Sequence, residues 1–147
     1  MKKEAKKNVK KNNSRIFLIL GGLAIILMAV LIVLDPFNQS KSELPLTVNV
    51  EDAYELRENG AFVLDVREVN EWEVVHIPDA TLIPLGELES RLEEIPKDQE
   101  ILVVCRSGNR SATGRDILLN AGFTNVTSLS GGMNDWVANS YEVVATE

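Results

Sequence analysis

With 147 residues, one cysteine and one histidine, the chain has room for one domain of ordinary size, but for neither a disulfide framework nor a conventional zinc site. Its net charge of -7 hides a division: seven basic residues and one acid precede the first apolar run and give +6, while eight basic and 21 acidic residues follow and give -13. A part so acidic repels phosphate backbones, which excludes nucleic acid as a partner, and no metal or other cofactor is expected.

Residues 1–15 form a basic arm with Lys2, Lys3, Lys6, Lys7, Lys10, Lys11 and Arg15. From Ile16 to Leu34 the chain runs nineteen residues without a charge. At about 1.5 Å per residue a helix of that length reaches across the ~30 Å hydrocarbon core of a bilayer. A cleaved signal would have a shorter apolar core and small residues at its end, whereas Asp35-Pro36-Phe37 follows here. The run at 16–34 is therefore predicted to be a transmembrane helix and the contact with the lipid bilayer. Positive flanks stay on the cytoplasmic side, so a single-pass cell-membrane protein is expected, with a cytoplasmic arm and an extracytoplasmic domain. Residues 35–45 are polar and turn-forming, as a tether would be. The folded domain is expected over 46–147.

Within it, short apolar or β-branched runs suit strands at Thr47–Val50, Phe62–Val66, Ala80–Ile83, Ile101–Val104 and Asn125–Leu129. Helical signals lie between them. They cover Asp52–Arg57, Leu85–Ile95 (with Leu85, Leu88, Leu92 and Ile95 at spacings of three and four) and Ser111–Asn120, which stops at Ala121-Gly122. Alternation of this kind builds a mainly parallel sheet flanked by helices, an α/β fold. Runs such as ILVV and FVLDV suit strands covered on both faces.

The single cysteine, Cys105, is a core filler, a dimer link or a nucleophile. It ends the strand Ile101–Val104 and opens the segment CRSGNRS, after which a helix begins near Asn109 to Ser111. Ligands bind at the carboxyl ends of strands in open α/β sheets, and free N–H groups at a helix start favour an anion. With Arg106 and Arg110 nearby, the thiol is expected to ionise readily. A buried apolar cysteine remains the plain alternative.

CRSGNRS resembles the active-site loop of single-domain rhodaneses, and LDVREVNEW (Leu64 to Trp72), HIPDA (His76 to Ala80) and LSGGMNDW (Leu129 to Trp136) resemble further stretches of that family, in its order. The resemblance covers Leu46 to Val144. It implies a rhodanese-like α/β sandwich around a five-stranded sheet, and a cysteine that carries sulfane sulfur as a persulfide. On matching positions it makes Cys105 the nucleophile of a thiosulfate-type sulfurtransferase. Arg106, Ser107, Gly108, Asn109 and Arg110 become the cradle for a small anionic sulfur donor, and a thiol, cyanide or a protein the acceptor. Asp65 and Arg67 match the family's D-x-R pair behind the loop, for which a structural salt bridge is favoured over substrate contact. Trp72 and Trp136 are expected to pack helices on the sheet, and His76 to be a structural turn residue. Val75 and Asp79 stand where the family usually has glycines, and the Gly and Pro often found after the Trp136 helix are missing.

Two other functions share this signature. Phosphatases and arsenate reductases of related fold have five residues between Cys and Arg, but here only Arg106 to Asn109 separate Cys105 from Arg110. A non-enzymatic module that binds persulfide or a partner protein is the second, since fold alone does not establish turnover.

Overall fold

The structure is a computed structural model that describes residues 44–145. The basic arm, the span predicted at 16–34 and most of the tether lie outside the described residues, within which no helix is long and apolar enough to cross a membrane.

Strand β1 (Thr47–Val48) is shorter than expected because Asn49 caps the following helix α1 (Val50–Glu58), its side chain accepting a 2.8 Å hydrogen bond from the N–H of Asp52. Then come β2 (Phe62–Asp65), α2 (Val69–Val74), β3 (Val75–His76) and β4 (Thr81–Leu82). They lead to β5 (Ile101–Val104), α3 (Asn109–Asn120), β6 (Val126–Leu129), α4 (Gly132–Ala138) and β7 (Val144–Ala145). Five strands form the expected sheet in the order β1-β6-β5-β2-β4, and every pairing is parallel. β3 and β7 form a separate antiparallel ribbon, which the sequence reading did not anticipate.

β5 is the middle strand, and all four of its residues are buried. Alternate side chains feed two cores: Ile101 and Val103 join Leu64, Leu88 and Leu118, while Leu102 and Val104 join Ala53, Met133 and Trp136. This double coverage is why ILVV has no polar position.

The segment from Leu85 to Ile95 is a correction. It forms two 3-10 segments, Leu85–Ser90 and Leu92–Glu94, rather than one α-helix. Pro84 and Pro96 bound a short stretch, and the i, i+3 recurrence that suggested an α-helix also stacks residues in a three-per-turn helix. Leu88 and Ile95 are buried as the pattern requires.

Helix α3 ends as predicted, at a Schellman turn. Gly122 has φ +89°, the Phe123 N–H donates to Leu118 O at 3.1 Å and the Gly122 N–H to Leu119 O at 3.1 Å. Two residues that are not glycine also adopt positive φ: Asp79 (62°) and Ser140 (59°). Both fall where the family resemblance leads one to expect glycine, so the backbone path is kept without the residue that favours it.

Trp136 packs against the sheet as expected, fully buried, and its indole N–H donates to Glu142 O at 3.0 Å. Trp72 does not. It is half-buried and stacks on His76, ring centroids 3.8 Å apart, while His76 Nδ1 donates to Trp72 O at 3.0 Å. His76 thus serves a structural end, in strand β3.

Candidate active site

Cys105 follows the middle strand and is 1% exposed. Gly108, at φ +96°, turns the chain so that its N–H lies 3.1 Å from Sγ. The Cys105 thiol donates to the Ser111 hydroxyl at 3.6 Å, and Ser111 donates on to Gly108 O at 2.9 Å. Burial pushes the thiol pKa up, but the Ser111 hydroxyl and the N–H groups of Ser111, Ser107 and Gly108 act against it, and the net result is below the ordinary thiol value. The helix-start part of the expectation therefore holds.

The arginine part holds only as Coulomb attraction between Arg110 and the Cys105 thiolate, since no guanidinium hydrogen bond reaches the sulfur among the described residues. Arg110 turns away to Glu71 and donates to both carboxylate oxygens, each at 2.7 Å. Glu71 also accepts from the Glu68 N–H at 3.2 Å. Chiefly through the hydrogen bond from Arg110, its pKa is lowered to about 2. Arg110 is therefore paired with Glu71, while Arg106 is exposed and makes no side-chain hydrogen bond or ion pair among the described residues. Ser107 and Asn109 are also exposed, Asn109 as the first residue of α3.

Asp65 and Arg67 are buried and locked together, with Nε 2.9 and 2.8 Å from the two carboxylate oxygens and Nη2 2.6 Å from one. Arg67 also donates to Glu71 O at 3.3 Å and Val75 O at 2.8 Å, which ties the pair to the middle and the C-terminal end of α2. This is the structural salt bridge. It fixes the helix whose Glu71 fixes Arg110.

The loop is held from the other side by α4. The N–H groups of Met133 and Asn134 donate to the carbonyls of Cys105 (2.8 Å) and Arg106 (3.1 Å). A Cβ on Gly132, itself at φ +61°, would collide with the Cys105 carbonyl oxygen and approach Ser107 N to 2.8 Å. Glu71 and Ser111 are thus parts of the site for which the sequence reading gave no role, and Gly132, expected only to permit the turn after the last strand, is a third. Each stood in a quoted motif, and the acid within REVNEW was the available signal for a partner to Arg110.

Beside the loop opens a cleft of ≈ 490 Å³ lined by Arg67, Glu71, Val74, Arg106, Met133 and Val137, among others. Cys105 itself is not on its wall. Among the described residues no cluster of His, Cys, Asp or Glu is able to hold a metal ion.

A cysteine at the end of a central parallel strand, with the Gly108 N–H 3.1 Å from its sulfur and a thiol pKa held below the ordinary value, defines a candidate nucleophile site in an α/β fold. The rhodanese-like domain model matches residues 49–139, and the chain belongs to that family. Thiosulfate sulfurtransferase GlpE of Pseudomonas syringae is 36% identical over 86 residues, 58% of this chain and 81% of that one. YrkF of Bacillus subtilis is 41% identical over 78 residues, 53% of this chain, but the match spans only 42% of YrkF. A rhodanese-related protein from Thermoplasma volcanium superposes with a TM-score of 0.63 at 33% identity, covering 68% of this chain and 98% of that structure. GlpE is thus named for sulfur transfer, and YrkF is named as a putative sulfur carrier protein.

Proposed function

We propose that the chain is a thiosulfate-type sulfurtransferase with Cys105 as its nucleophile. The observation that carries this reading is the 3.1 Å contact from the Gly108 N–H to a sulfur whose pKa is lowered. Such a sulfur ionises more readily than an ordinary thiol, and the thiolate is the reactive form. The Cys105 thiolate attacks the outer sulfur of thiosulfate, the S–S bond of the donor breaks, and sulfite leaves with the electron pair. The persulfide then yields its outer sulfur to cyanide or a thiol, and the thiolate returns. A covalent intermediate of this kind gives ping-pong kinetics. Arg106, Ser107, Gly108 and Asn109 make the cradle for the donor, and Arg110 braces the loop through Glu71. The four-residue gap between Cys105 and Arg110 favours sulfur over the larger phosphate group.

Mass spectrometry of the purified chain after thiosulfate treatment tests this: a gain of one sulfur atom on Cys105 is expected, absent in Cys105→Ser. A wild-type protein that takes up no sulfur, or an aryl phosphatase activity that depends on Cys105, would sink the reading.

The anchoring reading belongs to the same proposal: a helix at 16–34, the arm cytoplasmic, the domain outside, with persulfide chemistry where reducing thiols are scarcer. Its support is the uncharged run and the +6 flank. Protease added to intact cells is expected to digest the domain, and full protection would reverse the topology.

A further inference from the structure

The end of the sheet away from Cys105 carries an apolar groove that sulfur transfer does not use. All five strands of the sheet run parallel, so Cys105, after β5, lies at their carboxyl ends. Ile95 and Phe123, which precede β5 and β6, and Ala121, which follows α3, lie at the amino ends. Two cavities of ≈ 480 and ≈ 360 Å³ open there and have Leu92 and Ala121 in common. The groove exists because the chain covers this face thinly. Leu85, Leu88, Leu92 and Ile95 would form one buried stripe on an α-helix, whereas the two 3-10 segments bury Leu88 and Ile95 and leave Leu85 and Leu92 half-buried. Ile117 of α3 is half-buried with them, at the open side of the first core.

The groove is acidic. Residues 85–100 hold six acidic and two basic side chains, a net charge of -4. Both bases are engaged: Arg91 by Glu87 and Glu94, at 3.0 and 2.7 Å, and Lys97 by Phe123, its ammonium 5.4 Å from the ring centre. Glu93 on one cavity and Glu89 on the other are exposed and make no hydrogen bond or ion pair among the described residues. An apolar floor flanked by two unpaired carboxylates is complementary to apolar side chains flanked by cations. An anionic bilayer is repelled by the same carboxylates. In a two-fold dimer the same patch faces itself, which would bring Glu89 and Glu93 up against their own copies.

We propose that this groove docks a basic amphipathic segment of a partner protein, with the segment's apolar side chains in the two cavities and its lysines or arginines on Glu89 and Glu93. A helix that lays one face into a groove presents apolar anchors at spacings of three and four, with room for cations beside them. Because the groove lies at the opposite end of the sheet from Cys105, a partner held there leaves the cysteine loop open. Docking and sulfur transfer are thus separate properties of the domain, and the groove does not depend on the reaction assigned to the cysteine.

The test uses the full chain and, as probe, a short helical peptide of leucine and lysine in which a photo-reactive phenylalanine replaces one leucine. Cross-links located by mass spectrometry are expected at Leu92, Ile117 and Ala121, saturating with peptide concentration. Glu89→Lys with Glu93→Lys, both at exposed positions, is expected to raise the half-saturating concentration about tenfold, since two exposed ion pairs become repulsions. Glu51→Lys with Glu55→Lys makes the same change of net charge on α1 and is expected to alter it by less than about twofold, the ordinary scatter of uncoupled sites. Cross-links that fall elsewhere, that do not saturate, or that weaken equally in both charge variants overturn the proposal. So does equal labelling by a peptide with glutamate in place of lysine. A chain that dimerises without peptide, its dimer lost in Ala121→Glu, makes the occupant a second copy and likewise overturns the proposal.

Discussion

Glu71 grips Arg110 across 39 residues of sequence through two hydrogen bonds of 2.7 Å. A short helix that buries no side chain of its own is thereby bolted to the loop that follows the central strand. The contact makes a cation in the cysteine motif a brace.

The pH dependence of stability should carry the mark of that brace. The Glu71 pKa falls from 4.5 to about 2 on folding, so the native carboxylate binds its proton less readily than the unfolded one. Its contribution is complete above pH 4.5 and is lost as pH falls towards 2. For a pair that is partly open to solvent, Glu71→Gln is expected to cost about 1 kcal/mol at neutral pH. The difference from wild type should vanish near pH 2. Urea unfolding at several pH values reads it, and a difference that does not change with pH would refute the assignment.

Ser111→Ala removes the hydroxyl that acts on Cys105. The thiol pKa is expected to rise, and the alkylation rate measured against pH should shift to higher pH in step. A hydrogen bond to a charged group is worth about 1.5–3 kcal/mol, so sulfur uptake at neutral pH should slow by about tenfold or more. Ser111→Thr, which keeps the hydroxyl, should recover most of it.

Gly132→Ala places a methyl group against the Cys105 carbonyl oxygen in a left-handed conformation. Either the cysteine loop or the start of α4 must move. A loss of about 2–4 kcal/mol is expected by denaturant titration. Sulfur uptake should fall with it even at temperatures where the variant is folded.

Asp79→Gly should move stability the other way. Asp79 holds φ 62° with a fully exposed side chain. Relief of left-handed strain, ~1–2 kcal/mol, exceeds the added freedom of the unfolded glycine, ~0.4–1 kcal/mol. A gain of about 0.5 kcal/mol by thermal unfolding is expected, and a loss would show that Asp79 has a role beyond the turn.

These tests probe features of uneven legibility. Ile101–Val104 could be bounded from sequence to the residue because an uninterrupted apolar run with Cys and Arg after it has one sensible reading. Leu85–Ile95 could not, since a spacing of three is common to both kinds of helix. Helix α2 left no periodic signature because it buries nothing, and two-residue strands such as β3 and β7 are too short to alternate. In the site, Cys105 and Gly108 share one continuous segment and are legible together, whereas Ser111, in the same segment, carries no mark of its hydrogen bond to the sulfur. Arg110 was in the same segment, but its partner is set by how α2 is placed against α3, which depends on Arg67 holding α2. Trp72 was misassigned for a related reason: its stacking partner is a histidine four residues on, outside any core pattern.

The two peptide oxygens that α4 takes from Cys105 and Arg106 also decide which way the loop faces. A trans peptide group points its N–H opposite to its C=O. Drawing those oxygens towards α4 thus sends the amides of Arg106 and Ser107 the other way, and Ser107 is one of the donors that lower the Cys105 pKa. The lining around the sulfur is thus rich in hydrogens to give and lacks these two oxygens, which leaves the Ser111 hydroxyl as the acceptor beside it. The aim of the cysteine loop is set from outside it, by a glycine and two amides on a different helix.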